Sequence, residues 1–79
     1  TTASRSIAIG SEALLASNAL GNIAIGYQAL RSNTSGIDNI GIGALALVNN
    51  TTGSENIAMG VGASASNSIG IQNVAIGSA

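Results

Sequence analysis

The chain has 79 residues, 46% of them hydrophobic and 6% charged, with a net charge of −1, one aromatic residue, no cysteine and no histidine. Arg5 and Arg31 against Glu12, Asp38 and Glu55 leave no electrostatic footprint for nucleic acid or anionic lipid, and no apolar run approaches the ~18–20 residues of a membrane-spanning helix. Without Cys or His, the sequence predicts no disulfide, no metal site of the thiolate or imidazole kind, no Ser/His/Asp or Cys/His catalytic arrangement and no cofactor.

Five apolar pentapeptides follow in chain order: Ser6-Ile7-Ala8-Ile9-Gly10, Asn22-Ile23-Ala24-Ile25-Gly26, Asn39-Ile40-Gly41-Ile42-Gly43, Asn56-Ile57-Ala58-Met59-Gly60 and Asn73-Val74-Ala75-Ile76-Gly77. Their first apolar residues are 16, 17, 17 and 17 residues apart. A fixed period of this length means one supersecondary unit stacked on copies of itself. Each pentapeptide alternates like a strand and stops at glycine. A second strand-like segment is anchored on Ala13, Ala29, Ala46 and Ala63, in phase with the first. A polar loop then closes the unit, with glycines at 36, 53 and 70; in the shorter first unit Ala19 holds that place. Helices are disfavoured by frequent Gly and by the β-branched pentapeptides.

These units predict an all-β fold: a parallel β-solenoid of about five rungs of ~17 residues, over 1–79 as a single repeat segment, a fragment of a longer fibre. Period-2 alternation divides each strand between two faces. The larger residues, Ile7, Ile9, Ile23, Ile25, Ile40, Ile42, Ile57, Met59, Val74 and Ile76, are expected to fill the coil. The small ones between them, Ala8, Ala24, Gly41, Ala58 and Ala75, are then expected to face outward against a sister chain at a symmetry axis. That stripe argues for a homotrimer and leaves other oligomer numbers open. Self-association also resolves how so short and weakly charged a chain hides its apolar surface. The Asn at 22, 39, 56 and 73 is expected to form a rung-to-rung amide ladder. Gly10, Gly26, Gly43, Gly60 and Gly77 are expected at corners of positive φ or close packing.

Several motifs invite a chemical reading and lose it on inspection. Gly41-Ile42-Gly43-Ala44-Leu45-Ala46 and Gly60-Val61-Gly62-Ala63-Ser64-Ala65 fit a loose dinucleotide fingerprint, but the next strand arrives too soon for the helix that motif needs. Asp38 and Glu55 share one position in successive loops, at a separation of about 5 Å on a solenoid, the spacing of a retaining glycosidase pair. On a solvated edge without aromatic platforms they read instead as a polar stripe or an interchain salt-bridge site. Asn33-Thr34-Ser35, Asn49-Asn50-Thr51 and Asn50-Thr51-Thr52 are formal N-glycosylation acceptors, which turn chemistry explains equally. Tyr27 reads as packing at a rung corner, with a surface contact for a glycan receptor as its alternative, and Arg31 as an outer-surface residue, with pairing to a neighbour's carboxylate as its alternative. The chain is not expected to be an enzyme.

The run Asn22-Ile23-Ala24-Ile25-Gly26-Tyr27-Gln28-Ala29-Leu30, followed by Ser32-Asn33-Thr34-Ser35-Gly36, resembles the repeat of phage and virus tail-fibre proteins. The pentapeptide core is also similar to the head repeats of YadA-like trimeric autotransporter adhesins. The resemblance implies a trimeric, left-handed parallel β-roll with one coil per repeat. The spacing and the Tyr27-Gln28-Ala29-Leu30 segment favour a tail fibre, a rigid shaft or head on a virion that contributes to host-surface attachment. The Val61-Gly62-Ala63-Ser64 segment is closer to an adhesin head on a bacterial outer surface, binding host matrix or cells. A polysaccharide-degrading β-helix enzyme is the reading from another class, and it lacks the groove of acids and aromatics such an enzyme uses. Expected partners are further copies of the chain and a glycan or protein receptor on a host surface, with no nucleic acid and no membrane insertion.

Overall fold

The computed structural model describes residues 5–15, 20–64 and 70–77. The first loop around Ala19 and the stretch 65–69 of the fourth unit lie outside the described residues. Five three-residue strands run β1 (Ile7–Ile9), β2 (Ile23–Ile25), β3 (Ile40–Ile42), β4 (Ile57–Met59) and β5 (Val74–Ile76). They form one parallel sheet in sequence order. Each pairs with the next in the register of the repeat: Ile7, Ile23, Ile40, Ile57 and Val74 make one column, and Ala8, Ala24, Gly41, Ala58 and Ala75 the next. The fold is the expected parallel β-solenoid of about five rungs.

Among the described residues the second segment of the rung is a run of turns, at 11–15, 27–32, 44–49 and 61–64, instead of the expected second strand. Its backbone groups alternate in where they bond. Ala29, Arg31 and Asn33 donate within the rung, to the carbonyls of Gly26, Gln28 and Leu30. Gln28, Leu30 and Ser32 donate to neighbouring rungs, at Ser11, Ala46 and Val48. This pattern places Gln28 and Leu30 at the third position of successive turns, with φ of 58° and 52°, the left-handed value that turns of type II require there. A strand could not curl back in so few residues. The turns can, and they still bond to the rungs beside them.

The strand faces are the reverse of those the sequence suggested. Ala24 and Ala58 are fully buried inside the coil and Gly41 lies with them, while Ile23, Ile25, Ile40, Ile42 and Ile57 are half-buried and Met59 is exposed on the outside. In the terminal rungs Ala75 packs partly against the core and Ala8 is exposed; Ile7, Ile9, Val74 and Ile76 stand outward. So the small column is not an outward contact stripe, and the ten larger residues are not the coil core. The cause is width. A Cβ added at Gly41 would lie 3.2 Å from the Ala46 carbonyl oxygen and 3.4 Å from Leu30 Cγ. The interior therefore holds a methyl group on the strand side and one leucine opposite, supplied by Leu14, Leu30 and Leu47. An isoleucine pair has no room there.

Polar residues complete the interior. Asn22, Asn39 and Asn56 are buried, as are Asn33 and Asn50. In the first column Asn39 N–H and Nδ2 both donate to Asn22 Oδ1, at 3.0 and 3.2 Å, and Asn73 repeats this on Asn56. This is the expected ladder. A second ladder runs beside it, where Asn50 Nδ2 donates to Asn33 Oδ1 at 2.9 Å. The two columns converge on the loop glycines: Gly36 C=O accepts from Asn22 and Asn33, and Gly53 C=O from Asn39 and Asn50. No buried side-chain nitrogen or oxygen among the described residues lacks a partner.

Two expectations follow for stability. Gly43 has φ of 123°, and a Cβ there would sit 2.7 Å from the carbonyl of Gly60 in the next rung; Gly43→Ala should cost at least about 2 kcal/mol. Gly62→Ala should cost only about 1 kcal/mol, because Gln28 and Leu45 already occupy that column with side chains at similar φ. Equal losses in urea unfolding would contradict this distinction. Asn39→Leu leaves the buried Asn56 N–H without its acceptor and should lower stability by about 3 kcal/mol; a loss under about 1 kcal/mol would show the ladder to be passive.

Candidate functional surface

The strands present their apolar residues to the outside in two straight columns. One holds Ile7, Ile23, Ile40, Ile57 and Val74; the other holds Ile9, Ile25, Ile42, Met59 and Ile76. The rungs are spaced by strand pairing at about 4.8 Å, so the face is an apolar grid of five rows. No charged or polar side chain interrupts it. Exposure rises from the inner rungs to the ends, reaching 75% at Ile76. Large apolar residues aligned on one face in this way make a candidate interaction surface. Other exposed apolar residues, Leu20, Ile37 and Ile71 before the strands and Tyr27 and Val61 after them, form shorter columns interrupted by Ser54 and Ala44.

The polar groups lie at the turns. Glu12 and Gln28 occupy one left-handed column, with φ of 61° and 58°. Gln28 Nε2 donates to Glu12 Oε1 at 2.6 Å, and Arg31 Nε donates to the same oxygen at 3.1 Å. Arg31 is thus an outer residue paired with a carboxylate one rung earlier in its own chain. The Gln28 hydrogen bond, opposed by partial desolvation and helped by the Arg31 charge, holds the Glu12 carboxyl below its ordinary 4.5. All three side chains are exposed to water or nearly so, and such a pair contributes little to stability.

Asp38, Glu55 and Gln72 form the other polar column, at φ of 59°, 59° and 56°. Gln72 Nε2 donates to Glu55 Oε1 at 2.9 Å. Asp38 leans over Gly21, whose added Cβ would meet Asp38 Oδ1. The column is a solvated edge whose outer carboxylate is already bonded to an amide. Among the described residues no group of three or more acidic, Cys or His side chains could hold a metal ion, and no helix is long and apolar enough to cross a membrane.

The remaining motifs resolve by placement. Gly43 and Gly60 are followed by turns that enter the next part of the coil, not by a helix facing a phosphate. Of the formal glycosylation acceptors, Asn33 and Asn50 are buried in the second ladder, and Asn49 is exposed. Tyr27 is 54% exposed at the corner after Gly26, so it presents a ring to solvent and is not packed inside. A carboxylate partner for Arg31 was the second of its two readings, whereas the second Asn ladder and the bond from Gln28 to Glu12 were not expected from the sequence. Their signal was present in the 17-residue step from Asn33 to Asn50 and the 16-residue step from Glu12 to Gln28.

No family model, no curated protein and no solved structure matches the chain. Its architecture is that of a rigid repeat module, a parallel β-solenoid whose surface is organised in columns.

Glu12 provides a pH test of the turn-side group. Its folded-state pKa is lowered, so the stabilisation it supplies is present above the value of an unfolded glutamate and is lost as pH falls through the lowered folded-state value. Gln28→Ala should return Glu12 toward 4.5, read by NMR titration of the carboxyl carbon. Arg31→Ala, which removes both a charge and a hydrogen bond, should raise it as well; a carboxyl that titrates unchanged in both variants would contradict the assigned causes.

Proposed function

We propose that the chain is a structural and attachment module, a stiff segment of a trimeric fibre in which the isoleucine face of each coil is buried against sister chains. The observation that carries this reading is the uninterrupted apolar grid on the five strands, Ile7 to Ile76. A partner seated on all five rows must share their spacing. A second copy of the chain has that spacing by construction, and its own face is equally apolar, so ridges of one coil enter grooves of the next without burying a charge. A flexible or globular partner has no such periodic match. Packing three such faces about one axis closes the assembly and leaves the polar turns outside.

The tail-fibre reading draws on the Ile23-Ala24-Ile25-Gly26-Tyr27-Gln28-Ala29-Leu30 run and its resemblance to phage and virus fibres. On this reading the segment acts outside the cell on a virion, sets length by repetition, and presents its turns to a host-surface glycan or protein. Repeated sites on three chains would make such contacts multivalent. The Val61-Gly62-Ala63-Ser64 turn supports the second reading, a bacterial adhesin head at the cell surface. In neither does the chain carry out catalysis.

Light scattering tests the assembly. The native chain should have three times the 7.6 kDa mass of one copy, and Ile42→Glu should give a monomer that keeps its β circular dichroism. A native chain that stays at 7.6 kDa over the micromolar range would end the fibre reading.

A further inference from the structure

Met59 is the only sulfur-containing residue in the chain. It stands in the outer column of the apolar face, in register with Ile42 on one side and Ile76 on the other. The other four members of that column are isoleucines. Its side chain is 40% exposed in the single coil, so the thioether is open to a small oxidant until the face is covered. Nothing polar lies in either strand column to receive a new hydrogen-bond acceptor there.

Resting on the self-association reading above, we infer that Met59 makes assembly sensitive to peroxide: a chain oxidised before it associates joins its sisters much more weakly. In the step itself the thioether sulfur attacks one peroxide oxygen. A sulfur–oxygen bond forms with two electrons from sulfur, the oxygen–oxygen bond breaks, and the proton on the attacked oxygen passes to the departing hydroxide, which leaves as water. The product sulfoxide is polar and larger at its tip. Within the interface it would be buried among isoleucines with no donor to meet it. The coil itself is little affected, because Met59 points away from the interior that Ala58, Ala63 and Leu47 fill. Reduction of the sulfoxide by a methionine sulfoxide reductase restores the apolar side chain and with it the interface.

The test uses the whole chain, unfolded in urea, treated with hydrogen peroxide, and refolded by dialysis. Mass spectrometry reads conversion at a single sulfur, light scattering reads assembly and circular dichroism reads the fold. Fully oxidised wild type should refold as a monomer, with association weakened about tenfold or more. Met59→Ile, treated identically, should assemble as untreated wild type does. Oxidised wild type that assembles normally would overturn the inference while leaving the fibre reading intact. Oxidised wild type that loses its β signal would overturn it as well, since Met59 would then act through the coil. An untreated chain that never assembles would remove the self-association reading and this inference together.

Discussion

The structure depends on one constraint: every rung bonds to the next through its backbone in the same register. Ile7, Ile23, Ile40 and Ile57 each donate an N–H to the Asn carbonyl just before the following strand, and Gly26, Gly43, Gly60 and Gly77 each donate back to the last residue of the preceding one, at 2.7–2.9 Å throughout. Such stacking turns a position in the sequence into a column in space. A residue must then suit its counterpart above and below before it suits anything else. Asparagine does so by bonding to asparagine, alanine by leaving room, and isoleucine by stacking apolar surface on apolar surface. Glycine does so where one carbonyl lies directly over the next Cα.

The constraint has a conformational cost. Eleven described residues other than glycine sit at φ between 52° and 64°, a region non-glycine residues seldom occupy. They fall into three columns: Arg5, Asp38, Glu55 and Gln72; Glu12, Gln28 and Leu45; Leu14, Leu30, Leu47 and Ser64. The last column shows how the cost is offset. Leu30 and Leu47 are fully buried, and burying a leucine stabilises by about 1.5–3 kcal/mol, against about 1–2 kcal/mol for the left-handed backbone. In the two exposed columns the compensation is hydrogen bonding across rungs, as from Gln28 N–H to Ser11 and from Gln72 N–H to Ser54.

Much of this was legible in the residues. The recurrence of Asn-Ile-Ala-Ile-Gly gave the strands, their number, their parallel order and the amide ladder, because a period needs only one sequence to be seen. Two things were not legible. Alternation says that Ile23 and Ile25 share a face opposite Ala24, but not which face is inside; that depends on the width between strand and turns, which Leu30 and the Ala46 carbonyl set. The curl of Tyr27-Gln28-Ala29-Leu30 was hidden because its left-handed positions are filled by Gln and Leu, residues that carry no turn signal. Ser64, Gly62 and Gly60 mark the same curl more openly in the fourth rung. Arg31 stands at the outer surface as its first reading had it, but it does not simply lie there: it is paired with Glu12, a rung away in its own chain.

The asparagine columns have a sense as well as a position. Each side-chain oxygen receives the amide of the rung that follows it, from Asn22 to Asn39, Asn56 and Asn73. Nothing in the series runs the other way. The coil is accordingly a vector: a rung inverted top to bottom would bring donor against donor at its interior carboxamide. Any growth, splicing or exchange of rungs between such coils is therefore confined to a single head-to-tail sense, imposed by the interior alone.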